Sequence, residues 1–600
     1  MPRIIWGPGL TIVLRSLPLF ILTQVAACSL PTLILRYLPT STPIQTFLDL
    51  PVSLQALLSY LTILSARRLI GAYRYRQDMK KFGPNVTEVP RLEMRWPWNL
   101  DFIPMSLDNR ENDYCGGMLV PLLEKYGNTL NFGLFGESQI FTTEPENIKA
   151  ILSTDFASFE KGAYFRDMMF SVLGTGVFNS DGEMWKFHRT ISRPYFTRDR
   201  ISHFNLFARH SDSAITKLLA RLSESSHPAI DFQDMAARFT LDSGTEFLFG
   251  RDVHSLAAPL PYPHAPPKDD SASFATAFGR AQEKVMTRYF LSMLWPYAEM
   301  FWDRTEDDMR VIDAYVQPIL REKLEEKRRM GGKKLEKAED GLEDGSDTLL
   351  DHLVQLTDDE SVIRDEIVNI LVAGRDTTAA TLTFAVYMLA TNPNVLSKLR
   401  AEILAYVGST KYPTADDFRN MKYLRAVINE TLRLFPPVPF NERTAVKSTT
   451  FKSDGKSFYV PKGASAGYSV LFMHRRKDLW GPDAEDFDPE RWIDERLKKY
   501  VTPNPFIFLP FNAGPRICLG QQFAYNESSF FLVRLLQRVE SIELAPEAHL
   551  AGTLPPKEWQ NETGRKALEK VWPKSHLTIY SNGGMWVRMK EARSSAEQNP

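Results

Sequence analysis

The chain has 600 residues, 44% of them hydrophobic, with 72 Lys+Arg against 73 Asp+Glu. That apolar fraction is ample for a sizeable core, and the near-zero net charge gives no sign of a nucleic-acid partner. Three cysteines, Cys28, Cys115 and Cys518, are too few and too scattered for a disulfide framework and suit a reducing compartment.

Two apolar blocks, residues 17–38 and 54–66, open the chain, separated by a Pro- and Thr-containing turn region around 39–51. The first is about long enough to span a bilayer, although Gln24, Pro31 and Arg36 interrupt it. A secretory signal peptide is the rival reading, because Arg3 and Arg15 precede an apolar run that ends in Val25-Ala26-Ala27-Cys28. The second apolar block and the low cysteine count favour a membrane anchor. Arg67, Arg68, Arg74, Arg76, Lys80 and Lys81 follow, and positive-inside bias puts that flank in the cytosol. The sequons at Asn85, Asn526 and Asn561 are then expected to stay unglycosylated. Residues 1–81 read as the anchor segment, and 82–104, with Pro84, Pro90, Trp96, Pro97 and Trp98, as a stiff connector.

From residue 105 the remainder reads as one domain in which helical periods dominate. A helix is predicted over 118–126 and strand-like alternation over 129–143. Residues 156–178 read as an aromatic, Met-rich loop, suited to core packing or to a lipophilic pocket. Trp185 and Arg189 stand four apart on one helix face. An amphipathic helix is predicted over 231–249, a Pro-rich mobile surface loop over 258–274, and a solvated linker over 328–347. A long helix then runs from 359 to Asn392-Pro393, interrupted by Ala373-Gly374-Arg375-Asp376-Thr377-Thr378, whose hydroxyls have a purely structural use in bonding back to the previous turn. Glu430 and Arg433 are spaced to pair on one helix face. His474, beside two arginines, reads as a hydrogen-bonded or surface residue and not as a metal ligand. Ser581-Asn582-Gly583-Gly584 reads as a hairpin turn joining 577–580 to 585–589, its tip free to dip into a pocket.

The chemistry concentrates at Phe511-Asn512-Ala513-Gly514-Pro515-Arg516-Ile517-Cys518-Leu519-Gly520. Gly514 and Gly520 permit tight turns and close approach of a flat cofactor, and Arg516 places a cation two residues from the sulfur. The apolar run 521–537 reads as a helix that puts Cys518 at its N-terminus, a setting that stabilises a thiolate ligand to a metal. The spacing Phe-x-x-Gly-x-Arg-x-Cys-x-Gly resembles the haem-binding loop of the cytochrome P450 superfamily, and the residue-level match at 511–527 and 373–379 resembles its fungal alkane and fatty-acid hydroxylase branch.

That resemblance implies a mainly α fold with a small β-rich region, behind an N-terminal membrane anchor. It implies haem b with iron held by Cys518, whose electron donation favours O–O cleavage, in a monooxygenase domain covering 105–600. Trp185, Arg189, Arg443 and Arg516 are implied as haem propionate ligands, with Phe511, Gly514 and Gly520 shaping the cofactor loop. Asp376 and Thr377 are implied as catalytic residues, the threonine bonding to the reacting oxygen and the aspartate relaying protons. Glu430, Arg433 and Arg491, the last within Phe487-Asp488-Pro489-Glu490-Arg491-Trp492, are implied to form a buried structural network.

The expected activity is insertion of one oxygen atom of O2 into a lipophilic small molecule, with long-chain fatty acids or alkanes favoured and aromatic xenobiotics second. Electrons are expected from NADPH through a partner reductase, with cytochrome b5 as a further donor. The expected location is the endoplasmic reticulum membrane, with the catalytic domain in the cytosol. A peroxide-using or self-sufficient enzyme, and a haem- or lipid-binding protein without turnover, stay open as other classes. The Asp376-Thr377 pair argues against the binding protein, which needs no proton relay.

Overall fold

A computed structural model describes residues 7–39, 41–196, 204–224, 226, 228–265, 273–330, 348–453 and 455–592. Its axis is the helix Glu360–Thr391. The Asp359 carboxylate caps it by accepting from the Ser361 and Val362 amides, and it stops at Asn392, before Pro393. From Thr378 to Leu389 every side chain on it is buried, as expected of a helix enclosed on all faces. The helices Phe232–Phe249 and Gln521–Arg538 pack along it, and their aromatic residues interlock at Phe239–Phe531, with ring centroids 4.5 Å apart.

Four small sheets complete the described part of the domain. The largest runs in the order 129–131, 139–142, 465–469, 440–445, 159–160, and its strand Phe440–Ala445 carries Arg443. Val86–Glu88, within the Pro- and Trp-rich segment, pairs in parallel with Lys456–Val460 and so joins the sheet that also holds Thr449–Ser453.

The N-terminal segment is a helical hairpin. Pro8–Arg36 packs on Val52–Lys80 across the Thr32 and Ser59 hydroxyls, 3.4 Å apart, with Thr42–Leu48 between them. Pro8–Arg36 is the one helix among the described residues long and apolar enough to cross a bilayer, and Leu19, Phe20 and Leu22 are exposed along it. Its first turn lies on the helix Trp295–Ala298: the Gly9 amide donates to the Glu299 carbonyl at 3.1 Å, and a Cβ on Gly9 would overlap the Pro296 carbonyl. The second helix continues through the basic cluster and docks by its end, where Asp78 accepts from the Ser448 hydroxyl at 2.6 Å and Tyr75 meets the Tyr459 ring edge-on.

Three expectations need correction. Residues 162–173 form a helix, not a loop; its Met168, Met169, Val172 and Leu173 are buried, but neighbouring aromatics on the exposed face mask the period. The turn 581–584 forms, with the Gly584 amide on the Ser581 carbonyl at 3.2 Å, yet the strands flanking it do not pair with each other. Ile579–Ser581 pairs with Pro573–Ser575, while Trp586–Glu591 joins Val539–Leu544 and Ile230–Asp231, so each strand takes a different partner. Arg328–Met330 ends the helix Glu306–Met330, and the rest of the predicted linker, 331–347, lies outside the described residues, as do 266–272 of the predicted Pro-rich loop.

Candidate active site

The haem-loop residues fold into a tight turn held by the Cys518 amide donating to the Phe511 carbonyl at 3.0 Å and the Ile517 amide to the Gly514 carbonyl at 3.1 Å. Asn512, at φ 57°, is fixed by the Tyr468 hydroxyl, which donates to its Oδ1 at 2.9 Å. Gly514 has φ 68°, and a Cβ there would overlap the Leu152 carbonyl. Its glycine is thus demanded by the protein backbone it packs against. Gly520 begins the helix Gln521–Arg538 and does face the cavity.

Cys518 faces an internal cavity of about 560 Å³. Burial raises its thiol pKa, opposed by the Gly520 amide and the Arg189 guanidinium. The helix N-terminus alone does not make the thiolate; a cation bound at the sulfur completes it. The rest of the lining is largely apolar, including Phe102, Leu134, Phe165, Phe178, Met286 and Phe290, with polar residues such as Asn109, Asp113 and Glu527 among it.

The central helix lines the cavity with Ala373, Gly374, Thr377 and Thr378, and no atom lies within 4 Å of where a Gly374 Cβ would stand. The Thr377 hydroxyl donates to the Ala373 carbonyl at 2.5 Å, the back-bonding available to any helical threonine. Asp376 is turned away from the cavity. Its carboxylate accepts from Gln282 Nε2 at 2.6 Å and pairs with Arg375 at 3.1 Å, so it stands behind Thr377 and not beside it.

Lys161, Arg189, Arg443 and Arg516 line the cavity, as do Arg110 and Lys574. Arg189 Nη1 donates to the Ile517 carbonyl at 2.7 Å, and Arg443 Nη1 to the Glu442 carbonyl at 2.7 Å. Arg516 stacks over the Trp185 ring, 4.6 Å from its centroid, and pairs with Asp181 at 2.8 Å, while its buried Nε has no partner. Burial and the neighbouring Arg443 push Arg516 down to about 10, and burial with Arg443 and Arg516 drives Lys161 well below its ordinary value. So much positive charge against an enclosed space calls for an anion, and the paired carboxylates of a haem suit it. Sequence reasoning missed Lys161; its place before Gly162, at φ 83°, was the available signal.

Behind the loop, Glu430 is fully buried and bonded on both oxygens. Arg433 Nε and Nη2 each donate to it at 2.8 Å, the Trp492 Nε1 at 3.0 Å, the Asp488 amide at 3.1 Å and Arg491 Nε at 3.4 Å. Burial pushes the Glu430 carboxyl up, but Arg433 and Arg491 hold it below its usual range. His474 is also fully buried, with Nε2 accepting from the Leu509 amide at 2.9 Å.

A cysteine sulfur facing a small-residue helix wall across an apolar, cation-rimmed cavity defines a haem-thiolate oxygenase. The chain belongs to the cytochrome P450 family, whose model matches residues 100–549, and it is a monooxygenase with a haem-iron cofactor. Among similar proteins, cytochrome P450 52A3-A of Candida maltosa is 38% identical over 466 residues, 75% of this chain and 81% of that protein. The cytochrome P450 monooxygenase pvhE of Talaromyces variabilis is 37% identical over 492 residues, covering 78% and 82%. The monooxygenase himC of Aspergillus japonicus is 35% identical over 508 residues, covering 82% of each chain.

Proposed function

We propose that this enzyme hydroxylates a lipophilic chain molecule, of fatty-acid or alkane type, on the cytosolic face of the endoplasmic reticulum membrane, with electrons passed from NADPH by a partner reductase. The observation that carries the reading is the apolar cavity with Cys518 on one wall and the open Gly374 position on another. Bound haem supplies O2 activation, and the thiolate donates electron density to it. Lys161, Arg189, Arg443 and Arg516 hold its carboxylates, and Trp185 buttresses Arg516. Phe511 and Gly520 frame the sulfur, while Gly514 sets the shape of the loop. The Thr377 hydroxyl, released from the Ala373 carbonyl, presents a proton to the reacting oxygen, and the Asp376 carboxyl, held by the Gln282 amide, takes up protons from solvent to replace it. The apolar walls exclude bulk water, so protons arrive by this route.

The test is the carbon monoxide difference spectrum of the reduced protein, followed by product analysis with lipids, NADPH and a reductase. A thiolate-type band is expected in the wild type and its loss in Cys518→Ser. Product formed without NADPH and reductase would overturn the electron source, and a haem-loaded wild type without that band would overturn the whole reading.

A further inference from the structure

One carboxyl group on the cavity wall has no part in the route through Thr377. Glu527 lies on the helix Gln521–Arg538, which Cys518 precedes; it is fully buried and lines the cavity. The Ser243 hydroxyl, from the helix Phe232–Phe249, donates to its Oε1 at 2.7 Å. Its Oε2 is buried and takes no hydrogen bond from any described residue. Thr378 of the central helix lines the same cavity, as do Thr240 and Gly244 of the helix that carries Ser243. Burial pushes the Glu527 carboxyl up to about 8, and the Ser243 and Thr378 hydroxyls draw it back only in part.

A carboxylate enclosed without a counter-charge is costly, so burial keeps this group a neutral acid. With Oε1 accepting from Ser243, the proton belongs on Oε2, where no described residue accepts it. A role in packing alone gives no use for that proton, since a leucine or methionine fills such a space without a buried polar atom. The oxygen chemistry does give one. Insertion of one atom of O2 into a C–H bond takes up two electrons and two protons, and the other oxygen atom leaves as water. Asp376, which serves Thr377, is turned away from the cavity, whereas Glu527 faces it.

We propose that Glu527 is a second proton source for the oxygenation: its Oε2–H gives a proton, through a water molecule held between Oε2 and the Thr378 hydroxyl, to the oxygen atom that leaves as water. This rests on the monooxygenase reading above. The acid's O–H bond breaks as an O–H bond of the product water forms, the electrons come from NADPH through the reductase, and the carboxylate left behind regains a proton from solvent before the next turnover. An apolar setting makes that carboxylate a strong base, so the acid re-forms. Two readouts on haem-loaded protein test the assignment. The infrared spectrum of the wild type at neutral pH is expected to contain the carbonyl stretch of an un-ionised carboxyl group that Glu527→Gln, which keeps the shape and the Ser243 bond, lacks. With a lipid that the wild type converts, NADPH and a reductase, the same variant is expected to keep NADPH oxidation and its carbon monoxide band while product per NADPH falls about tenfold or more and hydrogen peroxide rises. If Glu527→Gln does not take up haem, Glu527→Met, which removes the acid and leaves no buried amide, carries both expectations. A variant that retains every un-ionised carboxyl band, or one that couples NADPH to product as the wild type does, would overturn the inference. The carbon monoxide band of the wild type separates the two failures: its absence sinks the monooxygenase reading, and its presence with unchanged coupling in the variant sinks only the role of Glu527.

Discussion

At Thr377 one hydroxyl serves a structural bond and a chemical task by turns. Its hydroxyl bonds back to the Ala373 carbonyl, one turn earlier, and the residue lines the cavity beside Gly374. Thr377→Ala is expected to keep NADPH oxidation while product formed per NADPH falls, by up to ~10²-fold if the hydroxyl is the main proton donor. Unchanged coupling would remove Thr377 from the chemistry. The residues that announce themselves in sequence are those whose neighbours are fixed in sequence too: Cys518 stands among glycines, a proline and Arg516, and Trp185 with Arg189 share a helix face. Lys161 belongs to no such local pattern. Its meaning comes from strands and helices that meet only after folding, which a single chain's residue order does not display.

The helix Lys422–Leu434 delivers Glu430 and Arg433 into a dry interior, and the short turn Pro489–Trp492 brings Arg491 to meet them. Glu430→Ala would strand the buried Arg433 without a counter-charge and leave Arg491 with Asp483 alone, which costs about 3–5 kcal/mol. Denaturant unfolding of that variant is expected to show the loss together with reduced haem content, and a haem-replete variant of wild-type stability would contradict it. His474 closes the adjoining turn beside Trp480 and Phe508, and burial with Arg433 lowers its pKa from 6.5 to about 3. The folded protein keeps it neutral where the unfolded chain takes up a proton. This contribution to stability is complete above about pH 6.5 and is lost as pH falls toward 3, at up to ~1.4 kcal/mol per pH unit. Urea midpoints at about pH 7 and about pH 5 are expected to differ less in His474→Asn than in the wild type. Elements with one clear period and capped ends were legible, such as Glu360–Thr391, foreseen within a residue or so. The strands around 581–584 were not, because pairing is decided by the edges each strand finds: the Met585 amide takes the Asp231 carboxylate, at 2.9 Å, and leads its strand away.

For the molecule as a whole, Pro8–Arg36 is the candidate membrane helix, and the helix Val52–Lys80 that packs on it meets the catalytic domain near Tyr75 and Asp78. Removal of residues 1–66 leaves that fastening in place. The shortened protein is expected to move from the membrane pellet toward the supernatant with its carbon monoxide band retained, and full retention in the pellet would assign membrane binding to the exposed aromatic row Tyr297, Phe301 and Trp302. The two apolar blocks and their basic flank were readable from hydropathy. That they fold back on one another was not, since the pairing is set by contacts between residues 27 apart, such as Thr32 and Ser59, that no local pattern announces.

The glycine contact of that hairpin has a practical side. Gly7 and Gly9 sit against the backbone of Pro296, Glu299 and Trp302, in the segment between the helices Phe274–Leu291 and Glu306–Met330 that also carries the cavity-lining Ser292. The first turn of the membrane helix is therefore seated on a segment that reaches the cavity. A change that unseats Gly7 or Gly9 disturbs that segment, whereas the strand Trp586–Glu591 at the other end pairs with Val539–Leu544 and Ile230–Asp231. Comparison of lipid product formation by amino- and carboxyl-tagged protein would measure how firmly the membrane helix presses on that segment.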